Sequence, residues 1–219
     1  MYRYIFFDLD GTLTDSKEGI FNCARYALEK MGEPILPDEI LKNFIGPPLH
    51  DSYIRYCGFS REKALEAVQL FRERYTTVGK FENAPAPGLL ELCGRLKERG
   101  YEMALSSSKP EKMCVQICEK FGFAPFLTTI AGSPPTGDDW EKSDVIRETM
   151  RRLGLSDADK DSILMVGDRK FDVLGAKECG IDCVGVEFFG YAAPGELAEA
   201  GAVAVVRSAE ELEAFILNH

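Results

Sequence analysis

Near its start the chain reads Tyr4-Ile5-Phe6-Phe7-Asp8-Leu9-Asp10-Gly11-Thr12-Leu13. The apolar residues before Asp8 predict a short buried strand, and Gly11 indicates that a tight turn follows it. Alternate side chains of a strand share one face, so Asp8 and Asp10 can point into a single pocket. With a third acidic group, these two carboxylates would form an oxygen-lined site for a hard metal ion.

After residue 87 the sequence alternates between apolar runs and amphipathic stretches. Strands are predicted at 103–105, at 163–166 and from residue 183, and each is preceded by a stretch with a helical apolar face. Gly180 is suited to end the helix before the last of these strands. Regular alternation of strands and helices is typical of an α/β protein with a doubly wound parallel sheet, a Rossmann-like core.

Residues 15–86 have a different pattern, because two long helical faces occur there and no convincing strand does. We therefore predict an all-helical cap at 15–86, inserted into a catalytic core formed by 1–14 and 87–219. The chain returns through the Pro-rich stretch 83–88, which resembles a semi-rigid hinge. Since the insert begins just after the paired aspartates, we expect it to lie over the active site.

Several polar residues follow the predicted strands, at the edge where open α/β sheets bind their ligands. Lys142 opens the helix before the strand at 163–166. The strand ends themselves contribute Asp8, Asp10, Ser106, Ser107, Ser108, Lys109, Asp168 and Asp172. Such a group of carboxylates, hydroxyls and cations at one edge favours phosphoryl transfer through a phosphorylated aspartate.

Composition excludes several other classes of protein. The chain has two histidines, His50 and His219, which leaves little basis for a His-rich zinc site or a Ser-His-Asp hydrolase. A net charge of −10 argues against nucleic acid or an anionic membrane as a partner. Seven cysteines without a Cys-x-x-Cys pair, and no signal peptide, predict a reduced cytoplasmic protein without a membrane span.

At this point the chain resembles the haloacid dehalogenase-like hydrolases, in particular the branch of phosphoglycolate phosphatases and 5′-nucleotidases with a helical cap. The first motif of that family is matched by residues 7–13 and the second, a hydroxyl after a strand, by Ser107. Lys142 matches the motif lysine, and residues 167–172 match the acidic fourth motif. All four occur in the family's order, and the resemblance spans essentially the whole chain.

The resemblance implies a role for each matched residue. Asp8 is the nucleophile, Asp10 the general acid and base, and Lys142 offsets the charge of the aspartyl-phosphate. Phosphate is bound by Leu9 and Asp10 through the backbone and by Ser107, Ser108 and Lys142, with Ser106 as the alternative to Ser107. Mg²⁺ is held by Asp8, the Asp10 carbonyl and Asp168. Asp172 holds a metal-bound water or orients Lys142, and the cap loop Gly46, Pro47 and Pro48 approaches the substrate.

The predicted function is that of a Mg²⁺-dependent phosphoric monoester hydrolase for a small phosphorylated metabolite, of the phosphoglycolate or nucleoside monophosphate type. A phosphomutase of the β-phosphoglucomutase type and an inorganic pyrophosphatase remain open, since the core motifs are shared. A dehalogenase is disfavoured, because its chemistry needs neither a metal nor an acid at the position of Asp10. A phosphate-sensing receiver domain would be shorter and would lack the insert. Monomer and homodimer are both compatible with the sequence.

Overall fold

The structure is a computed structural model, and it describes residues 1–134 and 140–219. The contacts divide the chain into two compact units. The first contains Met1–Thr14 and Pro85–His219, and the second contains Asp15–Ala84. Within the described ranges no helix combines the length and the apolar character needed to cross a membrane.

The secondary structure alternates along most of the chain. The strands are β1 (Tyr4–Phe7), β2 (Thr14–Asp15), β3 (Ala84–Pro85), β4 (Glu102–Pro110), β5 (Leu127–Ser133), β6 (Ile163–Gly167), β7 (Asp182–Val186) and β8 (Ala204–Val206). The α-helices are α1 (Lys17–Lys30), α2 (Asp38–Leu41), α3 (Leu49–Cys57), α4 (Arg61–Tyr75), α5 (Leu89–Glu98), α6 (Glu111–Phe121), α7 (Lys142–Arg152), α8 (Lys170–Cys179), α9 (Glu196–Ala200) and α10 (Ala209–Asn218). Short 3-10 turns lie at Lys42–Phe44, Gly79–Phe81, Ala124–Phe126 and Asp157–Ser162.

Six strands form one sheet in the order β5-β4-β1-β6-β7-β8, and each pair of neighbours is parallel. The chain runs from β1 outward to β5, returns to β6 beside β1, and then runs outward to β8. This order confirms the predicted doubly wound parallel sheet. It also places β1 at the point where the direction of winding reverses, which is where such sheets bind ligands.

Both faces of the sheet are covered by apolar side chains of the helices. One face packs against α5, α6 and α10 through residues such as Leu92, Ile117 and Leu212. The other face packs against α7 and α8, with Ile146 and Val173 among the buried contacts. A sheet buried on both sides explains why its central strands are continuous apolar runs rather than alternating ones.

The second unit contains α1 to α4. It also contains Asp15 of β2 and Ala84 of β3, and these two short strands form a two-stranded sheet. Its interior is apolar and aromatic, with the Phe44 and Tyr53 rings in edge contact at 5.1 Å between centroids. The helices agree with the two long apolar faces in the sequence. The placement of this unit as a cap stays a prediction.

Two strands of the main sheet have no counterpart in the sequence prediction. Strand β5 contains consecutive threonines and is only partly buried, and β8 is three residues long. Both lie at an edge of the sheet, so each has one neighbouring strand instead of two. An edge strand needs no continuous apolar run, and the local pattern is therefore weak.

Candidate active site

Asp8 lies at the carboxyl end of β1, in the middle of the sheet. Its backbone N–H donates to the Val166 carbonyl at 2.9 Å, which continues the pairing of β1 with β6 by one residue. Asp10 follows in a turn in which Gly11 has a φ of +84°. Asp8 therefore lies at the edge of the sheet where β1 ends, and the turn begins immediately after Asp8.

Lys142 is the residue that connects the acidic groups. Its Nζ lies 2.6 Å from Asp8 Oδ1 and 2.6 Å from Asp172 Oδ1. It also donates to the Ser106 carbonyl at 3.0 Å. The lysine side chain is only 5% exposed, so these contacts replace water around its ammonium group. One cation thus joins the ends of three segments that are far apart in the sequence.

Three carboxylates surround this lysine. Asp8, Asp168 and Asp172 each offer an oxygen, and these oxygens lie within 4.8 Å of one another. Both oxygens of Asp168 are buried and have no hydrogen-bond partner among the described residues. A buried carboxylate without a partner is costly, and a bound cation would remove that cost. The donor set, all oxygen and with excess negative charge, fits a hard divalent cation such as Mg²⁺.

Burial and neighbouring charges both shift the pKa values of these groups. Burial, followed by the charges of Asp172 and Asp8, raises the pKa of Asp168 well above its usual value. Burial also raises the pKa of Asp172, although its contact with Lys142 opposes the shift. At Lys142 burial disfavours the charge, but the two carboxylates outweigh it and raise its pKa. The lysine is therefore a permanent cation in the pocket.

Two glycines allow the acidic groups to approach one another. A Cβ atom on Gly11 would lie 2.2 Å from Asp168 Oδ2. A Cβ atom on Gly167 would lie 2.3 Å from the Asp172 side chain. Real Cβ atoms do not come this close to other heavy atoms, so a larger residue at either position would displace a carboxylate. The two glycines therefore act as spacers, which means that they leave room for the side chains of Asp168 and Asp172.

The three consecutive serines within β4, Ser106 to Ser108, alternate between the two faces of the sheet. Strand β4 pairs with β1 in a register that ends with Phe7 opposite Leu105, so continuing it by one residue would set Ser106 opposite Asp8. Paired residues of neighbouring strands share a face, which would put Ser106 on the side of Asp8 and Ser107 on the opposite side. Ser106 Oγ is buried without a partner among the described residues. Ser107 Oγ accepts from the Lys109 backbone N–H at 3.4 Å, and Ser108 is exposed.

Lys109 is a further cation at this edge, and sequence analysis assigned it no role. Its Nζ lies 2.6 Å from Asp10 Oδ2, with 9% and 15% of the two side chains exposed. The other carboxylate oxygen of Asp10 is buried without a partner among the described residues. The only signal for this contact in the sequence is that Lys109 follows the serines at the end of a predicted strand.

The remaining predicted residues lie in two different environments. Leu9 is fully buried, its side chain belongs to the apolar core, and its carbonyl accepts from Thr14 N–H at 3.0 Å. Gly46, Pro47 and Pro48 belong to the second unit, where they connect a 3-10 turn to α3. Gly46 and Pro48 are exposed. The role of this loop in substrate binding stays a prediction.

Comparison with known proteins gives one family. A model of the family described as haloacid dehalogenase-like hydrolase matches residues 5–186. A 5′-nucleotidase of Pseudomonas aeruginosa is 38% identical over 198 residues, which cover 90% of this chain and 87% of that protein. A phosphoglycolate phosphatase of Cupriavidus necator is 30% identical, with 97% of this chain and 92% of that protein covered.

One relative carries a different name. The tyrosine-protein kinase PtkA of Mycobacterium tuberculosis is 35% identical over 182 residues, 83% of this chain, and the match spans 61% of the length of that protein.

Among solved structures, a predicted phosphatase from Clostridium acetobutylicum superposes with a TM-score of 0.92 at 37% identity, and all of both chains is covered. The chain is thus similar in sequence and fold to proteins named for phosphoryl chemistry.

Proposed function

The chain belongs to the haloacid dehalogenase-like hydrolase family, and from that membership we propose that it is a Mg²⁺-dependent phosphatase. Its substrate is a small phosphate monoester, of the phosphoglycolate or nucleoside monophosphate type. The reaction passes through an aspartyl-phosphate on Asp8. The observation that carries the proposal is the contact of the buried Lys142 with Asp8 Oδ1 at 2.6 Å, beside the buried carboxylates of Asp168 and Asp172.

The first half of the reaction transfers the phosphoryl group to the enzyme. A carboxylate oxygen of Asp8 attacks phosphorus, the bond from phosphorus to the leaving oxygen breaks, and Asp10 gives that oxygen a proton. In the second half Asp10 takes a proton from water, and the water oxygen attacks phosphorus. Asp8 is released together with inorganic phosphate. The same carboxyl group therefore serves first as an acid and then as a base.

Lys142 supports both halves by charge. Its ammonium group stabilises the Asp8 carboxylate before the reaction and the negative phosphoryl group after transfer. Asp172 holds Lys142 from the other side at 2.6 Å, which supports an orienting role for Asp172. Most of the catalytic effect in such reactions comes from positioning and charge neutralisation rather than from covalent chemistry by the protein.

The proposed Mg²⁺ ligands are the carboxylates of Asp8 and Asp168 and the main-chain carbonyl of Asp10. When bound, the ion supplies positive charge that neutralises the oxygens of the phosphoryl group. The support in this chain is the Asp168 carboxylate, both of whose oxygens lack a hydrogen-bond partner among the described residues. Glycine at position 11 keeps the space next to those oxygens open.

For the phosphate-binding hydroxyl we propose Ser106, which sequence analysis leaves as the alternative to Ser107. Two observations support it. The register of β1 with β4, continued by one residue beyond Phe7 and Leu105, would bring Ser106 to the face of Asp8, and the buried Ser106 Oγ has no partner among the described residues. Its carbonyl is also bound to Lys142, which connects the serine to the proposed nucleophile.

The proposal is tested by the release of phosphate from p-nitrophenyl phosphate. We expect activity that requires Mg²⁺, is abolished by EDTA, and falls by roughly 10⁴-fold or more in Asp8→Asn. Exposed Asp161→Asn is the matched control, because it makes the same chemical change away from the site. Full activity of Asp8→Asn, or activity that is independent of metal, would contradict the proposed mechanism.

A panel of substrates separates the related reactions. Phosphoglycolate, nucleoside 5′-monophosphates, pyrophosphate and sugar phosphates are compared by kcat/KM, and isomerisation of sugar phosphates is measured beside hydrolysis. We expect hydrolysis of a monoester to dominate. Isomerisation that exceeds hydrolysis would identify a phosphomutase instead, and transfer from ATP to protein tyrosine would relate the chain to its kinase relative.

A further inference from the structure

Glu196, the first residue of α9, makes a dense set of contacts around the acidic loop. Its Oε1 accepts from Arg169 Nε at 3.0 Å and from the Lys170 backbone N–H at 3.0 Å. Its Oε2 accepts from the Ala193 backbone N–H at 3.2 Å. Only 11% of the Glu196 side chain and 10% of the Arg169 side chain are exposed. No proposed step of the reaction uses either residue.

These contacts stabilise the main chain that directly follows Asp168. Arg169 is the N-cap of α8, and its backbone N–H donates to Asp172 Oδ2 at 3.1 Å. Glu196 then takes the next backbone N–H, that of Lys170. The start of α8 is therefore fixed by one carboxylate on its own helix and by a second one from α9. Among the residues that the structure describes, the Asp168 carboxylate has no hydrogen-bond partner, so its orientation depends on this neighbouring backbone.

The negative charge of Glu196 also affects the site, because it holds the positively charged Arg169 side chain. Arg169 is the residue directly after Asp168, and its guanidinium is bound by Glu196, with 3.0 Å between Arg169 Nε and Glu196 Oε1. An arginine released from Glu196 could pair with Asp168 directly. It would then compete with a divalent cation for the only carboxylate in the cluster whose two oxygens are both unpartnered among the described residues.

We propose that Glu196 is a positioning residue for the Mg²⁺ site, which it maintains by holding Arg169 away from Asp168 and by fixing the start of α8. This inference rests on the proposed function, because it assumes that Asp168 is a metal ligand. Residues that orient metal ligands without touching the metal commonly contribute about 10- to 100-fold to metal affinity. We therefore expect a loss of that size when Glu196 is neutralised.

The test measures Mg²⁺ binding directly, by isothermal titration calorimetry of the full chain with MgCl₂. Glu196→Gln keeps the size of the side chain and removes its charge, and we expect its Kd to rise by at least about tenfold. Glu199→Gln is the matched control, because Glu199 lies on the same helix and is exposed. A Kd of Glu196→Gln within twofold of both the wild type and the control would overturn the inference.

A double variant distinguishes positioning from a general effect on stability. If Glu196 acts by holding Arg169, then Arg169→Gln combined with Glu196→Gln binds Mg²⁺ no more weakly than Arg169→Gln alone. Independent effects of the two substitutions on Kd would contradict this route. Arg169→Gln alone removes the cation that would compete with Mg²⁺, so by this route its Kd should stay within about twofold of the wild type. A tenfold higher Kd in Arg169→Gln would contradict competition, even if Glu196→Gln does not fold.

The two proposals can fail separately. Mg²⁺ binding by the wild type without phosphate release would contradict the proposed function and leave the role of Glu196 to the calorimetry. Phosphate release with an unchanged Kd in Glu196→Gln would contradict only the role of Glu196. A wild-type chain that binds no Mg²⁺ would overturn both the metal site and this inference.

Discussion

Lys109 Nζ lies 2.6 Å from Asp10 Oδ2, and both side chains are largely buried. This ion pair joins the end of β4 to the turn after β1. Asp10 is the group that we propose to give and take the proton, so its position decides whether a proton can reach the leaving oxygen. A cation that holds one oxygen of Asp10 leaves the other oxygen available for the substrate.

Removing that cation should slow the reaction without preventing binding. We expect Lys109→Met to lower kcat by roughly tenfold, a part of the 10²- to 10⁴-fold that acid and base catalysis contributes. Lys109→Arg should retain most of the activity, and exposed Lys112→Met serves as the control. Steady-state kinetics gives kcat and KM separately. A higher KM with an unchanged kcat would instead mean that Lys109 binds the substrate.

Ser106 and Ser107, neighbours within β4, provide a matched pair of variants. If the register of β1 with β4 is continued by one residue, Ser106 shares a face with Asp8 and Ser107 does not. We expect Ser106→Ala to reduce kcat/KM by roughly 10-fold or more, because a hydrogen bond to a charged phosphoryl group is worth about 1.5–3 kcal/mol. Ser107→Ala should have a clearly smaller effect. The opposite ranking in the phosphate-release assay would restore Ser107 as the ligand.

Gly11 can be compared with Gly100, because both have a positive φ, +84° and +86°. Alanine at either position should cost about 1–2 kcal/mol of unfolding free energy from backbone strain. At Gly11 the new Cβ would also meet Asp168 Oδ2 at 2.2 Å, whereas nothing lies within 4 Å at Gly100. We therefore expect only Gly11→Ala to lose Mg²⁺ affinity and activity, as measured by calorimetry and phosphate release. Equal effects of the two substitutions on Mg²⁺ binding would refute the role of Gly11 as a spacer.

Metal should stabilise the folded chain through Asp168. A ligand that binds only the folded state adds about 2.7 kcal/mol at 100 times its Kd, so Mg²⁺ should raise the melting temperature of the wild type. Asp168→Asn should lose this increase. In EDTA the variant should be at least as stable as the wild type, because it removes a buried carboxylate that has no hydrogen-bond partner within residues 1–134 and 140–219. Thermal unfolding with and without Mg²⁺ measures both effects, with Asp161→Asn as the control. A full Mg²⁺ effect in Asp168→Asn would exclude it as a ligand.

Acid should weaken the contact of α10 with α5. Glu213 pairs with Arg95 and Arg99, which hold its pKa at about 2. A carboxylate whose pKa is lowered by folding stabilises the protein fully above its unfolded pKa, about 4.5, and loses that contribution as the pH falls towards about 2.

Glu213→Gln tests this contribution. At pH 7 we expect its melting temperature to be about 2 °C lower than that of the wild type, because the pair is partly exposed and its effect is screened by water. The difference should narrow as the pH falls below about 4.5. Exposed Glu119→Gln should match the wild type throughout. A difference that grows on acidification would contradict the assignment.

Much of the fold could be predicted because its central strands are buried on both faces. β1, the apolar part of β4, β6 and β7 are recognisable as short apolar runs, and the amphipathic helices between them require a parallel sheet. The edge strands β5 and β8 could not be found in the same way, because half-buried residues with one neighbouring strand produce no such run.

The site residues could be collected from the sequence by one rule, that ligands bind beyond the carboxyl ends of parallel strands. That rule brings Asp8, Asp10 and Asp168 to one edge. It does not say which serine shares their face, because a shift of one residue in the end of β4 exchanges Ser106 and Ser107. The register of β4 against β1 decides this, and it is a property of the sheet rather than of the segment.

The sequence by itself determined the alternation of strands and helices, the family and the set of chemically capable residues, since each depends on neighbours along the chain. Only the tertiary structure decided the contacts of Lys142 with Asp8, which are 134 positions apart, of Lys109 with Asp10, and of Glu196 with Arg169. Contacts between distant residues depend on strand register and on how each helix is rotated against the sheet. Those are set by packing of the whole core, and no local pattern contains them.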